Sequence, residues 1–353
     1  MTASYLGDFR RRKEGGMVRR MVSTLTVTED EADIRLDRWF RRHFPGVTQG
    51  AIQKLCRTGQ VRVDGHRADA ATRLAAGQAV RVPPLPAAPP PKPAPPPVDD
   101  ASRVQLEGLV LYRDDHLIVL NKPYGLAVQG GPGIIRHLDG MLDALRFGAE
   151  DRPRLVHRLD RDTTGALVVA RTPGIAAKLA AAFRSRDVEK TYWAVVAGRP
   201  VPVEGRIDLP LKRIGGARGE RTAPADRDDK TAARAITDYR TLDHAARKLA
   251  WLELQPRTGR THQLRVHCVA LGAPILGDVK YHEPDQNNAF SALVEGLPRE
   301  LHLHSRALAF PHPAGGTLVV EADLPPHMIR TFSTLGFEAP PARPPERRSR
   351  PVT

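Results

Sequence analysis

The sequence predicts an α+β protein with two domains joined by a proline-rich linker. The chain has 353 residues, which is enough for two or three domains. The stretch PPLPAAPPPKPAPPP at 83–97 cannot join a helix or an inner strand, because proline fixes φ and lacks the N–H. Beyond this stretch, strand candidates outnumber helix candidates without regular alternation, which favours an α+β domain over a doubly wound fold.

Charge and cysteine content restrict the partners and the compartment. The chain carries 54 Lys and Arg against 40 Asp and Glu, and residues 1–85 alone carry 16 against 9. A net charge of +14 favours a polyanionic partner, with nucleic acid first and an anionic membrane surface second. No apolar run approaches the roughly 20 residues of a membrane span. The two cysteines, Cys56 and Cys268, exclude a disulfide scaffold and indicate a reducing compartment.

The domain boundaries follow the composition. Residues 1–21 are expected to be a disordered extension without an apolar signal core, and the start is left open between Met1, Met17 and Met21. Residues 83–100 are expected to be a polyproline-type spacer rather than a PxxP ligand. The predicted segments are a first domain at 22–82, a second at 101–335 and a disordered Pro/Arg-rich tail at 336–353.

The first domain predicts two helices and a hairpin. The first helix has apolar residues at i, i+3 and i+4, namely Leu36, Trp39 and Phe40. Asp33 is expected to cap this helix, and Thr48 is expected to cap the second. Gly59 stands where a left-handed residue ends a helix. The segments 61–63 and 79–82 are predicted to pair as strands.

The second domain predicts many strands around few helices. A helix is expected at 174–184. Strands are expected at 109–112, 117–120, 155–156, 166–170, 192–197, 236–242, 249–254 and Thr317–Glu321.

Several common enzyme motifs are missing from the sequence. It contains no GxxxxGK[ST], no GxSxG and no convincing dinucleotide turn. Its 13 histidines lack HxxxH spacing with a general-base Glu, and no paired CxxC is present. We therefore expect no metal, and an enzyme with this sequence works without a cofactor.

Two dense polar stretches are the candidates for chemistry. LVHRLDRDTTG at 155–165 places a carboxylate between apolar segments, where its ionisation needs a cationic partner. RTGRTHQLRVH at 257–267 offers cations and donors suited to phosphate oxygens. From composition alone, a pair of salt-bridged turns is the alternative.

The first domain resembles the S4 RNA-binding domain over RLDRWF…GVTQGAIQKLCRTGQVRVDG…GQAVRV, although Gln78 stands where that family usually has Asp. The resemblance implies phosphate contacts from exposed basic side chains. The candidates are Arg38, Arg41, Lys54, Arg57 and Arg62. The alternative is that these side chains are solvated helix faces.

The second domain resembles the RluA family of pseudouridine synthases. The motifs are NKPYG at 121–125, HRLDRDTTG at 157–165, KTYWAVVAG at 190–198, RTGRTHQLRVH at 257–267, GAPILGD at 272–278 and LHLHSRALAFPHP at 301–313. The resemblance covers 22–328 and is closest to the RluC type, although Gln129 replaces a frequent His. It implies a mixed, mainly antiparallel sheet and cofactor-free isomerisation of uridines in 23S ribosomal RNA. We expect a cytoplasmic monomer that binds no membrane, with free RNA or a precursor particle as substrate.

The resemblance also implies site residues. Asp160 is the essential carboxylate, Tyr192 stacks on the flipped base and can accept or relay the proton, and Arg265 pairs with Asp160 and holds it ionised. Further RNA contacts fall to Arg158, Arg257, Arg260 and His262. For Tyr192 the alternative is a core aromatic, for Arg265 a surface arginine, and for Arg158 a structural ion pair. The chemical route is left open between a C6 adduct, an acylal and a glycal.

Two other functions compete with the enzyme hypothesis. A ribosome-assembly protein with an inactive second domain has no reason to keep HRLD intact. An S4-bearing methyltransferase or tRNA synthetase needs cofactor or nucleotide motifs that the sequence lacks. The sequence therefore favours the enzyme.

Overall fold

The computed structural model describes residues 22–85, 99–131, 133–185, 187–215, 221–245, 248–281 and 295–349. The predicted extension 1–21 and most of the predicted linker lie outside these ranges. The chain divides into two compact units, Met1–Pro95 and Pro96–Thr353.

The first unit contains a small antiparallel sheet and two helices. Its elements are β1 (Ser23–Thr26), a 3-10 turn (Glu29–Glu31), α1 (Leu36–His43), α2 (Gln49–Arg57), β2 (Arg62–Val63), β3 (His66–Arg67) and β4 (Ala79–Val82). The sheet order is β1-β4-β2-β3. Trp39, Phe40 and Ile52 from the helices are fully buried in one core with the strands. Thr48 accepts the N–H of Ala51 and Gly59 has φ 68°, so both predicted helix-boundary roles are confirmed.

The start of α1 differs from the prediction, because Asp33 does not cap it. Asp33 has φ 62° and precedes the helix, which begins at Leu36. The N–H groups of Leu36 and Asp37 donate to the carbonyls of Thr72 and Ala70 at 2.8 and 2.9 Å. A neighbouring loop therefore satisfies the first free N–H groups, and the helix needs no side-chain cap.

The second unit begins with α3 (Asp100–Glu107), β5 (Val110–Arg113), β6 (Leu117–Lys122), α4 (Leu138–Met141), a 3-10 turn (Leu142–Leu145), β7 (Arg154–Leu155) and β8 (Thr164–Ala170). It continues with α5 (Pro173–Ser185), β9 (Glu189–Ala197), β10 (Glu204–Asp208), β11 (Leu211–Ile214), β12 (Arg221–Pro224), β13 (Ile236–Ala245) and β14 (Leu249–Pro256). The last elements are α6 (Gln263–Ala270), β15 (Leu303–Pro311), β16 (Thr317–Glu321), α7 (Pro326–Leu335) and β17 (Glu346–Arg348).

Within the described residues, eleven of these strands form one sheet. Its main order is β10-β13-β14-β9-β15-β8-β6-β5, with β16 and β17 continuing from β15, and β7 beside β8. The pair β8·β15 is parallel and the other described pairs are antiparallel. The α+β class with a mixed, mainly antiparallel sheet is therefore confirmed.

The central strands are buried on both faces. Alternate residues of β6 and β8 enter two different cores, one with α4 and the other with α5. In the same way β9 and β14 are covered by α6 on one face and α7 on the other. Burial on both faces explains the continuous apolar run of β8.

The strand order brings separate motifs together. Strand β15 lies between β8 and β9, and its Ser305 is in register with Gly165 on β8 and Tyr192 on β9. The loop that leads into β8, including Asp160, is therefore held beside Tyr192. A Cβ on Gly165, which has φ 104°, would collide with the Ser305 carbonyl oxygen.

Two segments differ from the predicted linker and tail. Helix α3 begins inside the predicted linker, because Asp99 accepts the N–H of Ser102 and caps it. The predicted disordered tail contributes β17, which pairs with the free edge of β16, and buries Phe337 against α7. An open sheet edge and an apolar side chain order this Pro/Arg-rich segment.

Gly165→Ala is expected to lower the free energy of unfolding by about 2 kcal/mol or more, because both the positive φ and the close backbone approach exclude a Cβ. Gly174→Ala on α5 is the control, since its Cβ would meet nothing within 4 Å. Urea unfolding of both variants measures the difference. Equal midpoints would contradict this packing.

Candidate active site

A cavity of about 280 Å³ opens where three motifs of the second unit meet. Its walls come from the loop between β7 and β8, from β9, and from the loop that leads into α6. Six of the predicted site residues line it: Asp160, Tyr192, Arg265, Arg158, Arg260 and His262. Arg257 is outside this lining and borders a neighbouring cavity.

Asp160 presents a partly exposed carboxylate to this cavity. Its side chain is 21% exposed, and Nη1 of Arg265 and Nε2 of His262 each lie 3.8 Å from its Oδ2. Both separations exceed hydrogen-bonding distance. The two groups therefore supply a favourable field while the carboxylate lone pairs remain available to a substrate.

Arg265 is held chiefly by Asp278, a partner that the sequence did not predict. Its Nε and Nη2 donate to Asp278 at 2.8 and 2.6 Å. Burial opposes the guanidinium charge, but the hydrogen bonds to Asp278 and the charges of Asp278 and Asp160 raise the pKa of Arg265. The predicted pairing with Asp160 is thus the longer of two contacts. The bidentate geometry with a buried carboxylate favours Asp278.

Tyr192 forms another wall of the cavity. Burial, together with the charge of Asp160, raises the pKa of its phenol to about 12, against the effect of Ser305. The phenol is therefore neutral near pH 7. A neutral aromatic ring at a cavity wall suits stacking better than general-base chemistry.

His262 lies beside the carboxylate rather than on an outer surface. Its Nδ1 is 2.6 Å from the hydroxyl of Tyr281. Burial and the charges of Arg265 and Lys280 lower the pKa of His262, while Asp160 and Asp278 oppose this effect. The imidazole is therefore neutral near pH 7, which weakens the predicted phosphate contact.

The sequence did not predict helix α6, which carries this corner of the site. Residues 263–268 are all buried, so the helix lacks the polar face that periodicity detects. Its apolar residues alternate with Arg265 and His267, a pattern that resembles a strand. Tertiary burial therefore decided the helix.

Lys122 is a second residue whose role the sequence did not predict, although it belongs to the NKPYG motif. Its Nζ donates to the carbonyls of Pro123, Leu126 and Arg161 at 2.9, 2.8 and 2.8 Å. Burial lowers its pKa to about 7, and Asp162 and Asp160 oppose the shift. Three carbonyl acceptors use all three protons of an ammonium group. Lys122 thus joins the loop that follows β6 to the loop that carries Asp160, at the residue directly after Asp160.

Of the remaining predicted RNA contacts of this unit, Arg158 and Arg260 line the cavity and Arg257 lines the neighbouring one. Arg158 is exposed. Arg257 is also exposed, and its Nε donates to Asp238 at 2.7 Å. Arg260 donates to the carbonyl of Arg234 at 3.1 Å. These arginines are accessible to a polyanion even where they have protein partners.

A second cavity adjoins the first. Its lining includes Lys190, Arg206, Arg234 and Arg257, and Lys190 also lines the first cavity. Burial lowers the pKa of Lys190. The basic lining therefore continues from the candidate site along the neighbouring surface.

The five predicted RNA contacts of the first unit are exposed side chains of its helices and hairpin: Arg38, Arg41, Lys54, Arg57 and Arg62. Arg62 also donates to the carbonyls of Gly59 and Gly65. The five exposed side chains can reach RNA phosphates, and Arg62 also stabilises the hairpin through its two hydrogen bonds to backbone carbonyls.

Neither cysteine offers a reactive thiolate. Burial raises the pKa of Cys56 to about 11 and that of Cys268 to about 12.

Among the described residues, no group of three or more His, Cys, Asp and Glu side chains could hold a metal ion. No helix in the described ranges is long and apolar enough to span a membrane.

Comparison with protein-family models gives two matches. The model described as RNA pseudouridylate synthase matches residues 116–270, which include Asp160, Tyr192 and Arg265. The S4 domain model matches residues 34–80. The two matches fall in the two structural units.

Similar proteins carry related names. The ribosomal large subunit pseudouridine synthase C of Pasteurella multocida is 34% identical, over 92% of this chain and 97% of that protein. The mitochondrial RNA pseudouridine synthase 4 of Arabidopsis thaliana is 34% identical, over 84% of this chain and 78% of that protein. The solved structure of human RNA pseudouridylate synthase domain containing 4 has a TM-score of 0.58 at 32% identity, over 68% of this chain and 97% of that one.

Lys122→Met is expected to lower the free energy of unfolding by about 2–4 kcal/mol, because three buried carbonyls lose their donor. Lys178→Met on the exposed side of α5 is the matched control and is expected to change it by less than about 0.5 kcal/mol. Denaturant unfolding of the two variants provides the measurement. A Lys122→Met protein as stable as the control would exclude this role.

Proposed function

Because the chain belongs to the RNA pseudouridylate synthase family, we propose that it converts uridines of large-subunit ribosomal RNA to pseudouridine. Its similarity to a large-subunit synthase over nearly the full length of both chains supports this substrate class. The S4 match in the first unit supports RNA binding. The proposed substrate is 23S RNA, free or within a precursor particle, and the protein acts as a cytoplasmic monomer.

The position of Asp160 carries the proposal. Its carboxylate lies in a cavity that the aromatic ring of Tyr192 also lines, with two donors held 3.8 Å away. Such a cavity accepts a flat base and presents one oxyanion to it. Since the base must rotate before it reattaches, the uridine is flipped out of its helix into this cavity.

The reaction is an isomerisation with a simple balance. The bond between C1′ and N1 breaks, a bond between C1′ and C5 forms, C5 loses a proton and N1 gains one. No oxidant, reductant or group donor is consumed, so the chemistry requires no cofactor. Asp160 acts as the nucleophile at C6 or C1′, or as the base that generates a glycal, and the proposal holds for each route.

Tyr192 acts in this proposal as a neutral stacking surface. A phenol whose pKa is about 12 costs too much to ionise near pH 7. Stacking on the flipped base replaces the base stacking that the RNA loses on flipping. Tyr192 therefore contributes to holding the nucleotide, and Asp160 carries the chemistry.

Basic side chains beyond the cavity hold the RNA backbone. Arg158 and Arg260 line the cavity, and Lys190 and Arg257 continue the positive charge into the adjoining cavity. The exposed cations of the first unit provide a second set of phosphate contacts. RNA binding therefore depends on salt more strongly than the chemical step does.

Asp160→Asn is expected to reduce pseudouridine formation to below about 10⁻³ of the wild-type rate, because the amide is neither a nucleophile nor a base. Carbodiimide adduct mapping by primer extension on ribosomal RNA measures the product, and filter binding measures RNA affinity, which is expected to stay near normal. Asp162→Asn, two residues along the same loop and paired with Arg161, is the matched control. Full modification by the Asp160 variant would overturn the assignment.

Lys54→Gln/Arg57→Gln on α2 is expected to weaken RNA binding and to reduce the slope of log affinity against log salt by about 1 for each phosphate that is no longer neutralised. The control is Arg42→Gln/Arg73→Gln, which removes the same charge from side chains paired with Asp30 and Asp33. A salt titration of binding compares the two. Identical slopes would remove α2 from the RNA-binding surface.

A further inference from the structure

The imidazole of His262 bridges the space between Tyr281 and the Asp160 carboxylate. Its Nδ1 is 2.6 Å from the Tyr281 hydroxyl, and its Nε2 is 3.8 Å from Oδ2 of Asp160. We propose that His262 is a positioning residue whose Nε2–H tautomer, selected by Tyr281, orients the Asp160 carboxylate toward the substrate. This inference rests on the proposed function, in which Asp160 is the reacting group.

The hydrogen bonds of the Tyr281 hydroxyl favour the Nε2–H tautomer of His262. The backbone N–H of Thr222 donates to the Tyr281 hydroxyl at 2.9 Å, so this oxygen already accepts one hydrogen bond. The proposal directs the single phenolic proton to the other polar partner of this hydroxyl, Nδ1 of His262. A neutral imidazole that accepts at Nδ1 carries its proton on Nε2. The proton-bearing nitrogen is therefore the one that faces Asp160.

The surrounding charges keep this donor neutral. Arg265 and Lys280 face His262 and, with burial, lower its pKa, against the attraction of Asp160 and Asp278. The Tyr281 ring itself lies within 5.1 Å of Arg265 and 5.5 Å of Arg221. A neutral N–H orients the carboxylate without cancelling its charge.

The two groups beside Asp160 approach it from one side. Nε2 of His262 and Nη1 of Arg265 are both nearest to Oδ2. Arg265 is committed to Asp278 through its other nitrogens, so it cannot turn toward Asp160 without losing that bidentate pair. Oδ1 is left as the oxygen that His262 and Arg265 together present to the substrate.

His262 has φ 54° at the position before α6. Asn and His adopt this left-handed conformation more readily than most other residues. A substitution of His262 therefore changes both the fit of the backbone and the side chain that reaches from Tyr281 to Asp160.

The first test compares two substitutions of His262 that differ in side-chain reach and in their fit to the left-handed backbone. In His262→Gln the amide nitrogen occupies the position of Nε2 and keeps a donor toward Asp160. In His262→Asn the shorter amide reaches only the position of Nδ1, and Asn fits the left-handed backbone at least as well as His. We expect kcat of the Asn variant to fall about 10- to 100-fold, because the 3.8 Å separation closes to a hydrogen bond with the Asp160 carboxylate in the substrate complex, and the Gln variant to retain most of it. KM is expected to change little in either.

The opposite order, with Asn more active than Gln, would show that His262 acts only through the backbone and would overturn the proposal. Equal rates for wild type and both variants would overturn it as well. Asp160→Asn is measured in parallel, so that an active Asp160 variant identifies a failure of the proposed function instead.

Tyr281→Phe provides the second test through the pH profile. It removes the donor to Nδ1 and keeps the ring between the two guanidinium groups. The loss of a hydrogen bond to the neutral imidazole raises the pKa of His262. We expect the variant to be about 2-fold slower than wild type near pH ~8.5, because a mixed tautomer leaves about half of the molecules with Nε2–H, and the deficit to shrink as the pH falls and the imidazolium carries protons on both nitrogens. A deficit that is constant with pH would contradict the tautomer role.

Nitrogen-15 NMR of histidine-labelled protein reads the tautomer without any assay of activity, with His262→Gln used to assign the signal. We expect Nε2 protonated in wild type and a mixed tautomer in Tyr281→Phe. A wild-type signal from Nδ1–H would overturn the proposal even if the enzyme is active on ribosomal RNA.

Discussion

The buried ion pair between Arg265 and Asp278 is the interaction on which the rest of the site depends. Their side chains are 8% and 1% exposed, and a guanidinium buried without its carboxylate would cost about 3–5 kcal/mol. Asp278 also accepts the backbone N–H of Tyr281, and Tyr281 contacts His262. One carboxylate therefore fixes two neighbours of Asp160.

The sheet supplies the other constraint, since it holds distant motifs at fixed separations. Strand β15 lies parallel to β8 and antiparallel to β9, and its Ser305 is in register with both Gly165 and Tyr192. Gly165 permits the backbone approach that a Cβ would block. Lys122 also holds the loop that leads into β8, because its Nζ donates a hydrogen bond to the carbonyl of Arg161. The loop that follows Asp160 is thus held at Arg161 and at Gly165.

Local patterns predicted the elements whose signals are local. Thr48 and Gly59 act at the helix boundaries that their side-chain chemistry predicts, and the apolar run of β8 forms a strand. The prediction was wrong at Asp33, where loop carbonyls replace the expected cap. Helix α6 was missed because burial on all sides removes amphipathic periodicity. In both cases the deciding partners are distant in sequence.

The sequence by itself determined the family, the two-domain organisation and the short motifs that hold Asp160, Tyr192 and Arg265. These depend on residue type and order, which are read along one chain. Only the tertiary structure decided that Arg265 is bound by Asp278, and that His262 faces Asp160 rather than solvent. Partner choice among several nearby charges depends on distance and burial. Neither quantity is encoded in the spacing of a motif, so the electrostatics of the site had to come from the fold.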